Sequence, residues 1–210
     1  MKYIQKQAEP PELIAWKDQA NSDWQPSYAT MGGALKRKLK AALMREQGGL
    51  CCYCEQRLSA EDSHIEHFQP QSDPAIDPLD YANLLCSCQN QLTRGEPRHC
   101  GNLKADWFDP ERLVSPLVPS CEERFRYTGD GQIKAENDDD PAAQTTIERL
   151  GLNLPKLRAM RRAAIEVFLD NNLEPDEMIQ FAAVYLRAGD DGELSPFWTT
   201  IAQLFGQAVC

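Results

Sequence analysis

One stretch of this chain, residues 51–104, decides its reading. It runs Cys51-Cys52-Tyr53-Cys54, then Ser63-His64-Ile65-Glu66-His67-Phe68-Gln69-Pro70, then Tyr81-Ala82-Asn83-Leu84-Leu85-Cys86-Ser87-Cys88, and ends His99-Cys100-Gly101-Asn102-Leu103-Lys104. Cysteine pairs flank a histidine-rich segment and an Asn-Leu segment. Cys51 and Cys54 have the C-x-x-C spacing with which a tight turn presents two thiolates to one tetrahedral Zn²⁺. A second pair must close such a site, and Cys86, Cys88 and Cys100 are the candidates. The surrounding residues 50–110 are dense in Cys, Pro and Asn and poor in long periodic elements. A segment of that kind buries little apolar surface, so a structural metal would contribute its folding energy directly.

The second segment carries the chemistry. A neutral imidazole suits a general base because its pKa lies near working pH. His67 has that role in this reading. An acidic residue just before it, Glu66, can ligate Mg²⁺ or another hard divalent cation through oxygen. Base and cation together are what hydrolysis of a phosphodiester requires. Under the alternation of a strand, His64 shares a face with Glu66. It is therefore a candidate ligand or a group standing behind the ligands.

Residues 50–106 resemble the ββα-metal core of His-Asn-His (HNH) endonucleases. The blocks Cys-x-Tyr-Cys-Glu, Ile-Glu-His-Phe-x-Pro, Asn-Leu-Leu and Cys-Gly-x-x-Lys more narrowly resemble PtuB, the HNH component of Septu anti-phage systems, whose relatives also occur as retron effectors. Ile147-Glu148-Arg149-Leu150-Gly151-Leu152-Asn153, Leu157 and Arg161 extend the likeness into the C-terminal part. The resemblance implies that His67 activates water and that Asn83 holds the loop and orients His67. It places the third motif position on Asn102, beside Glu66 at the catalytic metal, with His99 as the alternative, and it gives Lys104 a phosphate contact. In HNH proteins with a structural zinc, the second pair begins five residues after the middle Asn. That count lands on Cys88 rather than Cys86. Gln91 then stands where the fourth cysteine would be, so an insertion over Gln89–His99 carries the ligand to Cys100. The implied cofactors are one structural Zn²⁺ on Cys51, Cys54, Cys88 and Cys100 and a catalytic Mg²⁺ or Mn²⁺ at Glu66 and Asn102. The implied partners are a PtuA-like ATPase, a retron reverse transcriptase with its DNA–RNA product, and the nucleic-acid substrate. The rival functions are a zinc module without catalysis and a restriction-type nuclease acting alone.

The expected fold is therefore α+β: a zinc-stapled ββα-metal core over residues 34–119, preceded by an arm at 1–33 and followed by a mainly helical extension at 120–210. Pro10-Pro11 opens a short helix in the arm, and Leu35, Leu39 and Leu43 mark a helix from Ala34 to Gln47 that Gly48-Gly49 stops. Arg124–Tyr127 and Gln132–Ala135 flank Thr128-Gly129-Asp130-Gly131 as a hairpin. Asp140-Pro141 reads as a cap and first helical residue. Helices are expected at Pro141–Leu150, Leu154–Leu169 and Pro175–Ala188, and another from Ser195-Pro196.

With 42% apolar and 26% charged residues, the composition is that of an ordinary globular protein. No apolar run approaches membrane-spanning length, and the N-terminus lacks the apolar stretch of a signal peptide. A cytoplasmic location follows as the expectation, with the eight cysteines as thiols or metal ligands. The net charge is −10 and the isoelectric point about 4.8, a poor match to a free-standing nucleic-acid-binding domain. Two basic patches remain, Lys36, Arg37, Lys38, Lys40 and Arg45, then Lys156, Arg158, Arg161 and Arg162. Each is either a solvated helix face or a phosphate contact. Trp16, Trp24, Trp198 and Phe205 are candidate anchors for a partner. Cys52 and Cys86 read as small apolar residues, and Cys121 and Cys210 have no evident role.

Overall fold

The computed structural model describes residues 1–169 and 174–206. Cys210 lies outside the described residues. The centre of the fold is an antiparallel hairpin, β1 (Ser63–His67) and β2 (Leu84–Cys88), in the register Ser63↔Cys88 through His67↔Leu84. Every residue of β2 is buried. The strand is covered on both faces, which is why it reads as the continuous apolar run Leu84-Leu85-Cys86. The linking segment closes with a 3₁₀ turn at Tyr81–Asn83, and the Asp80 carboxylate accepts from the Ala82 amide to start it. A four-residue helix, α3 (Gly101–Lys104), completes the ββα unit.

Upstream lie α1 (Pro11–Lys17) and α2 (Gly33–Glu46). Leu39 and Leu43 are buried on α2, which packs on the hairpin, so the four-residue leucine spacing marks its inner face. The helix ends where Gly48 and Gly49 take positive φ, and a Cβ at Gly48 would meet Leu194 at 2.7 Å. Downstream, β3 (Phe125–Tyr127) and β4 (Ile133–Ala135) form the hairpin expected around the Thr-Gly-Asp-Gly turn. Next come α4 (Pro141–Arg149), α5 (Pro155–Glu166), α6 (Pro175–Leu186) and α7 (Trp198–Phe205). Asp140 caps α4 by accepting from the Ala142 and Ala143 amides, as an Asp-Pro start should. Helix α7 begins later than the Ser195-Pro196 signal because Phe197 adopts left-handed φ of 56° and acts as its cap.

One buried cluster contains Met1, Ile4 and Leu13 of the arm, the hairpin residues and Leu150, Leu152 and Leu157 of the helical extension. The arm is pinned by Ile4 N–H to the Pro116 carbonyl at 2.8 Å, and Lys6 pairs with Glu46 at 2.6 Å. Trp16 packs against the cluster, with the Trp24 ring edge-on 5.6 Å from its own. Trp198 donates to the Leu186 carbonyl at 2.8 Å, and Phe205 stacks on Phe168 at 4.8 Å. These two aromatics hold the helical extension together internally, which corrects their reading as anchors for a partner.

The second basic patch is likewise not a free surface. Arg161 is 2% exposed and donates to the Gly131 and Leu152 carbonyls. Lys156 pairs with Glu96, Arg158 with Asp130 and Arg162 with Glu166. In the first patch Lys38 meets Glu12, Lys40 donates to the Ala60 and Ser63 carbonyls, and Lys36 lies over the Tyr28 ring at 4.4 Å. No helix among the described residues is long and apolar enough to cross a membrane.

Candidate active site and metal centre

The chain reverses sharply after Cys54 and again after Cys88, where Glu55 and Gln89 take φ of 64° and 67°. Cys100, at the start of α3, also has positive φ. These turns bring the sulfurs of Cys51, Cys54, Cys88 and Cys100 within 4.8 Å of one another, all buried. Cys54 and Cys88 stand 3.8 Å apart. Two thiolates on one tetrahedral Zn²⁺, with Zn–S of about 2.3 Å, are separated by roughly that distance. The group can hold a metal ion such as zinc. Burial would push the Cys51 thiol up, but hydrogen bonds from Cys100, Cys52, Cys54 and Cys88 bring it well below the usual thiol range. The buried Cys100 thiol is pushed the other way, and Cys51 and Cys54 add to that. A shared cation removes this conflict, because each thiolate then faces positive charge.

Cys86 stands apart from this group. Burial pushes its thiol up to about 12 and that of Cys52 well above its ordinary value, so both remain neutral side chains. His99 is 1% exposed, and its Nδ1 lies 3.3 Å from the Cys100 sulfur and 3.7 Å from that of Cys88. The third histidine therefore belongs to the thiolate side of the fold.

The hairpin presents the other group. Glu66 is 6% exposed. Its Oε1 accepts from the Tyr53 hydroxyl at 3.0 Å and pairs with Lys104 Nζ at 2.9 Å. Its Oε2 faces His64 Nε2 at 3.6 Å. Burial would raise the carboxyl, but the hydrogen bond from His64 and the Lys104 charge outweigh it, and Glu66 is held below the usual carboxylate range. It is an anion at neutral pH, with Oε1 anchored by Tyr53 and Lys104 and Oε2 facing His64. Gly101 lies directly over Oε2. A Cβ there would fall 2.8 Å from His64 Nε2 and closer still to Glu66 Oε2. The Gly101 backbone therefore approaches the Glu66 and His64 side-chain ends more closely than a residue with a side chain could.

His67 follows on the opposite face of the strand. Its Nε2 lies 3.0 Å from the Pro78 carbonyl oxygen, which can only accept. Nε2 thus carries the proton, and Nδ1 of the neutral ring keeps its lone pair. The Tyr28 ring packs edge-on against the imidazole at 4.6 Å. Burial lowers the His67 pKa below its ordinary value, and the charges of Lys104 and Lys36 act in the same direction. At neutral pH the ring is in the form a base needs.

Asn83 braces the loop beyond His67. Its Oδ1 accepts from the Gln69 amide at 2.8 Å and its Nδ2 donates to the Gln69 carbonyl at 2.9 Å. Asn83→Ala removes both bonds and leaves two part-buried backbone groups unpaired. We expect a loss of about 1–3 kcal/mol in denaturant unfolding.

Two expectations are corrected. Lys104 is 2% exposed, and its ammonium is engaged by Glu66 and by the His67 carbonyl at 3.0 Å. It fixes the two site residues from inside the protein and offers nothing to a phosphate at the surface. Asn102 donates its side-chain amide to the Gln89 carbonyl. Successive helix residues point about 100° apart, so with Gly101 facing Glu66, Asn102 turns toward the thiolate loop instead of a metal at Glu66. Tyr53, Tyr28 and Pro78 had no role in the sequence reading. Tyr53 sits within the cysteine motif, but nothing in the sequence pairs it with a residue on another strand.

No protein-family model matches the sequence. Two curated proteins are similar to it. "Retron Vc95 putative HNH endonuclease" of Vibrio cholerae serotype O1 biovar El Tor is 32% identical over 139 aligned residues, which span 63% of this chain and 65% of that protein. "Retron Ec83 putative HNH endonuclease" of Escherichia coli is 28% identical over an alignment of 239 positions, gaps included, that spans 95% of this chain and 92% of that protein. With the Glu66–His67 pair and the four-cysteine group on one ββα unit, the likeness to retron HNH endonucleases supports a nuclease.

Proposed function

We propose that this chain is a metal-dependent HNH endonuclease that hydrolyses nucleic-acid phosphodiester bonds as the toxic effector of an anti-phage defence complex. The observation that carries the reading is the succession of Glu66, an anion with Oε1 anchored, and His67, with one ring nitrogen unprotonated, at the end of a single strand beside α3. A divalent cation at Glu66 would neutralise charge developing on the scissile phosphate and its leaving oxygen. His67 Nδ1 accepts a proton from water as the oxygen attacks phosphorus, and the bond to the leaving oxygen breaks. Pro78 and Tyr28 keep the ring in its tautomer and orientation, and Asn83 holds the loop that follows. Lys104 holds the Glu66 carboxylate in place. The four-cysteine group is structural zinc in this reading. A closed four-thiolate site has no open position for chemistry.

The partner is a PtuA-like ATPase of a Septu-type system, and a retron reverse transcriptase with its DNA–RNA product joins it in a retron setting. The names of the two relatives support the retron setting, and the sequence blocks of residues 50–106 support the Septu likeness. The charge of −10 fits an effector that depends on a partner for substrate affinity, since binding to nucleic acid comes largely from phosphate neutralisation. Exposed Phe181 and Val184 on α6, with Val167 and Leu169 after α5, offer apolar surface for that contact.

The test is cleavage of labelled duplex DNA, single-stranded DNA and RNA by the chain, alone and copurified with its neighbouring gene products. Mild EDTA treatment should stop cleavage without releasing zinc, and Mn²⁺ or Mg²⁺ should restore it. Cleavage that continues in EDTA would refute a catalytic divalent ion. A complex that cuts none of these substrates would refute the nuclease.

A further inference from the structure

The geometry assigns the second protein ligand of the catalytic cation to His64, with glycine at 101 sparing both ligand atoms the contact of a side chain; the assignment deepens the nuclease reading and rests on it for the identity of the ion. Three observations meet here. Glu66 Oε2 and His64 Nε2 face each other at 3.6 Å while Oε1 is held by Tyr53 and Lys104. Neighbouring ligands of an octahedral ion at about 2.1 Å stand roughly 3 Å apart, so a small inward movement of the ring places both atoms on one cation. The Gly101 backbone closes in on the same two atoms, and a Cβ there would press on both, so the chain has glycine although Gly101 does not need positive φ. The His64 ring is also otherwise uncommitted. Its Nδ1 is buried without a hydrogen-bond partner, and Glu66 is the partner of its Nε2. Its Nε2 therefore meets Glu66 alone and can turn to an ion beside that carboxylate.

The remaining candidates for a second ligand point elsewhere. Asn102 is bonded to Gln89, His99 lies against the thiolates, and His67 Nε2 is on Pro78. His64 keeps 23% of its side chain exposed, which leaves a path for an ion to exchange. A site with one imidazole nitrogen and one carboxylate oxygen favours first-row transition ions over Mg²⁺, which prefers oxygen alone. The ion class is therefore Mn²⁺ or a neighbouring transition metal, held by two protein ligands with the other positions left to water and phosphate.

The experiment uses Mn²⁺ as the probe on the full chain with its zinc retained. Pulsed electron paramagnetic resonance detects a nitrogen bound directly to Mn²⁺, and calorimetry reads affinity. Wild type should show one exchangeable Mn²⁺ with imidazole nitrogen modulation. His64→Ala should abolish the modulation and weaken binding by about 10–100-fold, with circular dichroism and zinc content unchanged. Gly101→Ala should weaken Mn²⁺ binding at least as much. Asn102→Ala should leave both signals intact. If His64→Ala does not fold, His64→Asn serves in its place, and wild type alone still decides: Mn²⁺ bound without nitrogen modulation overturns the assignment. So does modulation that persists when His64 is replaced, or binding that is lost in Asn102→Ala and kept in His64→Ala. The nitrogen signal needs no turnover, so it is read independently of the cleavage assay that tests the nuclease.

Discussion

Replacing Cys51, Cys54, Cys88 or Cys100 by serine is expected to unfold the core of this protein. The four sulfurs join the turn after α2, the end of β2 and the start of α3, and the irregular residues 50–62 and 89–100 between them form no helix or strand of their own. Structural Zn²⁺ sites contribute about 10–16 kcal/mol of apparent binding energy at neutral pH. Whole domains are stable by only about 5–15 kcal/mol. Loss of one thiolate should therefore remove both the metal and the cooperative unfolding transition. Elemental analysis should give one zinc per chain in wild type and almost none in these variants, with loss of near-ultraviolet circular dichroism. Cys86→Ala is the control. Its sulfur lies outside the cluster, so it should keep zinc and lose only about 1 kcal/mol, the cost of a small buried vacancy. Soluble, folded wild-type chain that contains no zinc would overturn the structural role.

His67→Ala is expected to lower cleavage by about 10²–10⁴-fold, the usual contribution of a positioned general base, while leaving zinc content unchanged and costing about 0.5–3 kcal/mol of stability. The ring is buried against Tyr28 and bonded to a single carbonyl, away from the four sulfurs, so its removal loosens that packing but not the zinc group. The pH profile tests the same assignment. The neutral ring is the active form and burial lowers its pKa. Activity should be full at neutral pH and fall on acidification through a midpoint below the ordinary histidine value of about 6.5. The sign for stability agrees: a buried ring kept neutral must take up a proton as pH falls, so the folded state weakens on the acid side. A variant that cleaves at the wild-type rate would remove His67 from the mechanism.

Much of the frame was legible because its signals are local. The leucine spacing and glycine stop of α2, the turn between β3 and β4, the Asp140-Pro141 cap and the C-x-x-C turn are each written within a few residues, where hydrogen bonding and sterics decide the outcome. The ionic readings were less legible. Arg161 and Lys104 have the same local appearance as solvated basic residues, and only the surrounding carbonyls and the Glu66 carboxylate make their burial tolerable.

The sequence by itself determined which groups are available: eight thiols, a Glu-His pair on a strand, an Asn ahead of β2 and the glycines at the turns. Tertiary structure decided which of them meet. The count from Asn83 that the resemblance supplies already pointed to Cys88 and Cys100, but their sulfurs reach Cys51 and Cys54 because two left-handed turns and the entry to α3 converge. Gly101 instead of Asn102 faces Glu66 because one helical step rotates a side chain by about 100°, and the phase of that rotation is fixed by how α3 docks on the hairpin. Tyr53 reaches Glu66, and Tyr28 reaches His67, across segments far apart in sequence. Such contacts follow from the packing of whole elements against one another, and a pattern read along the chain contains no term for them.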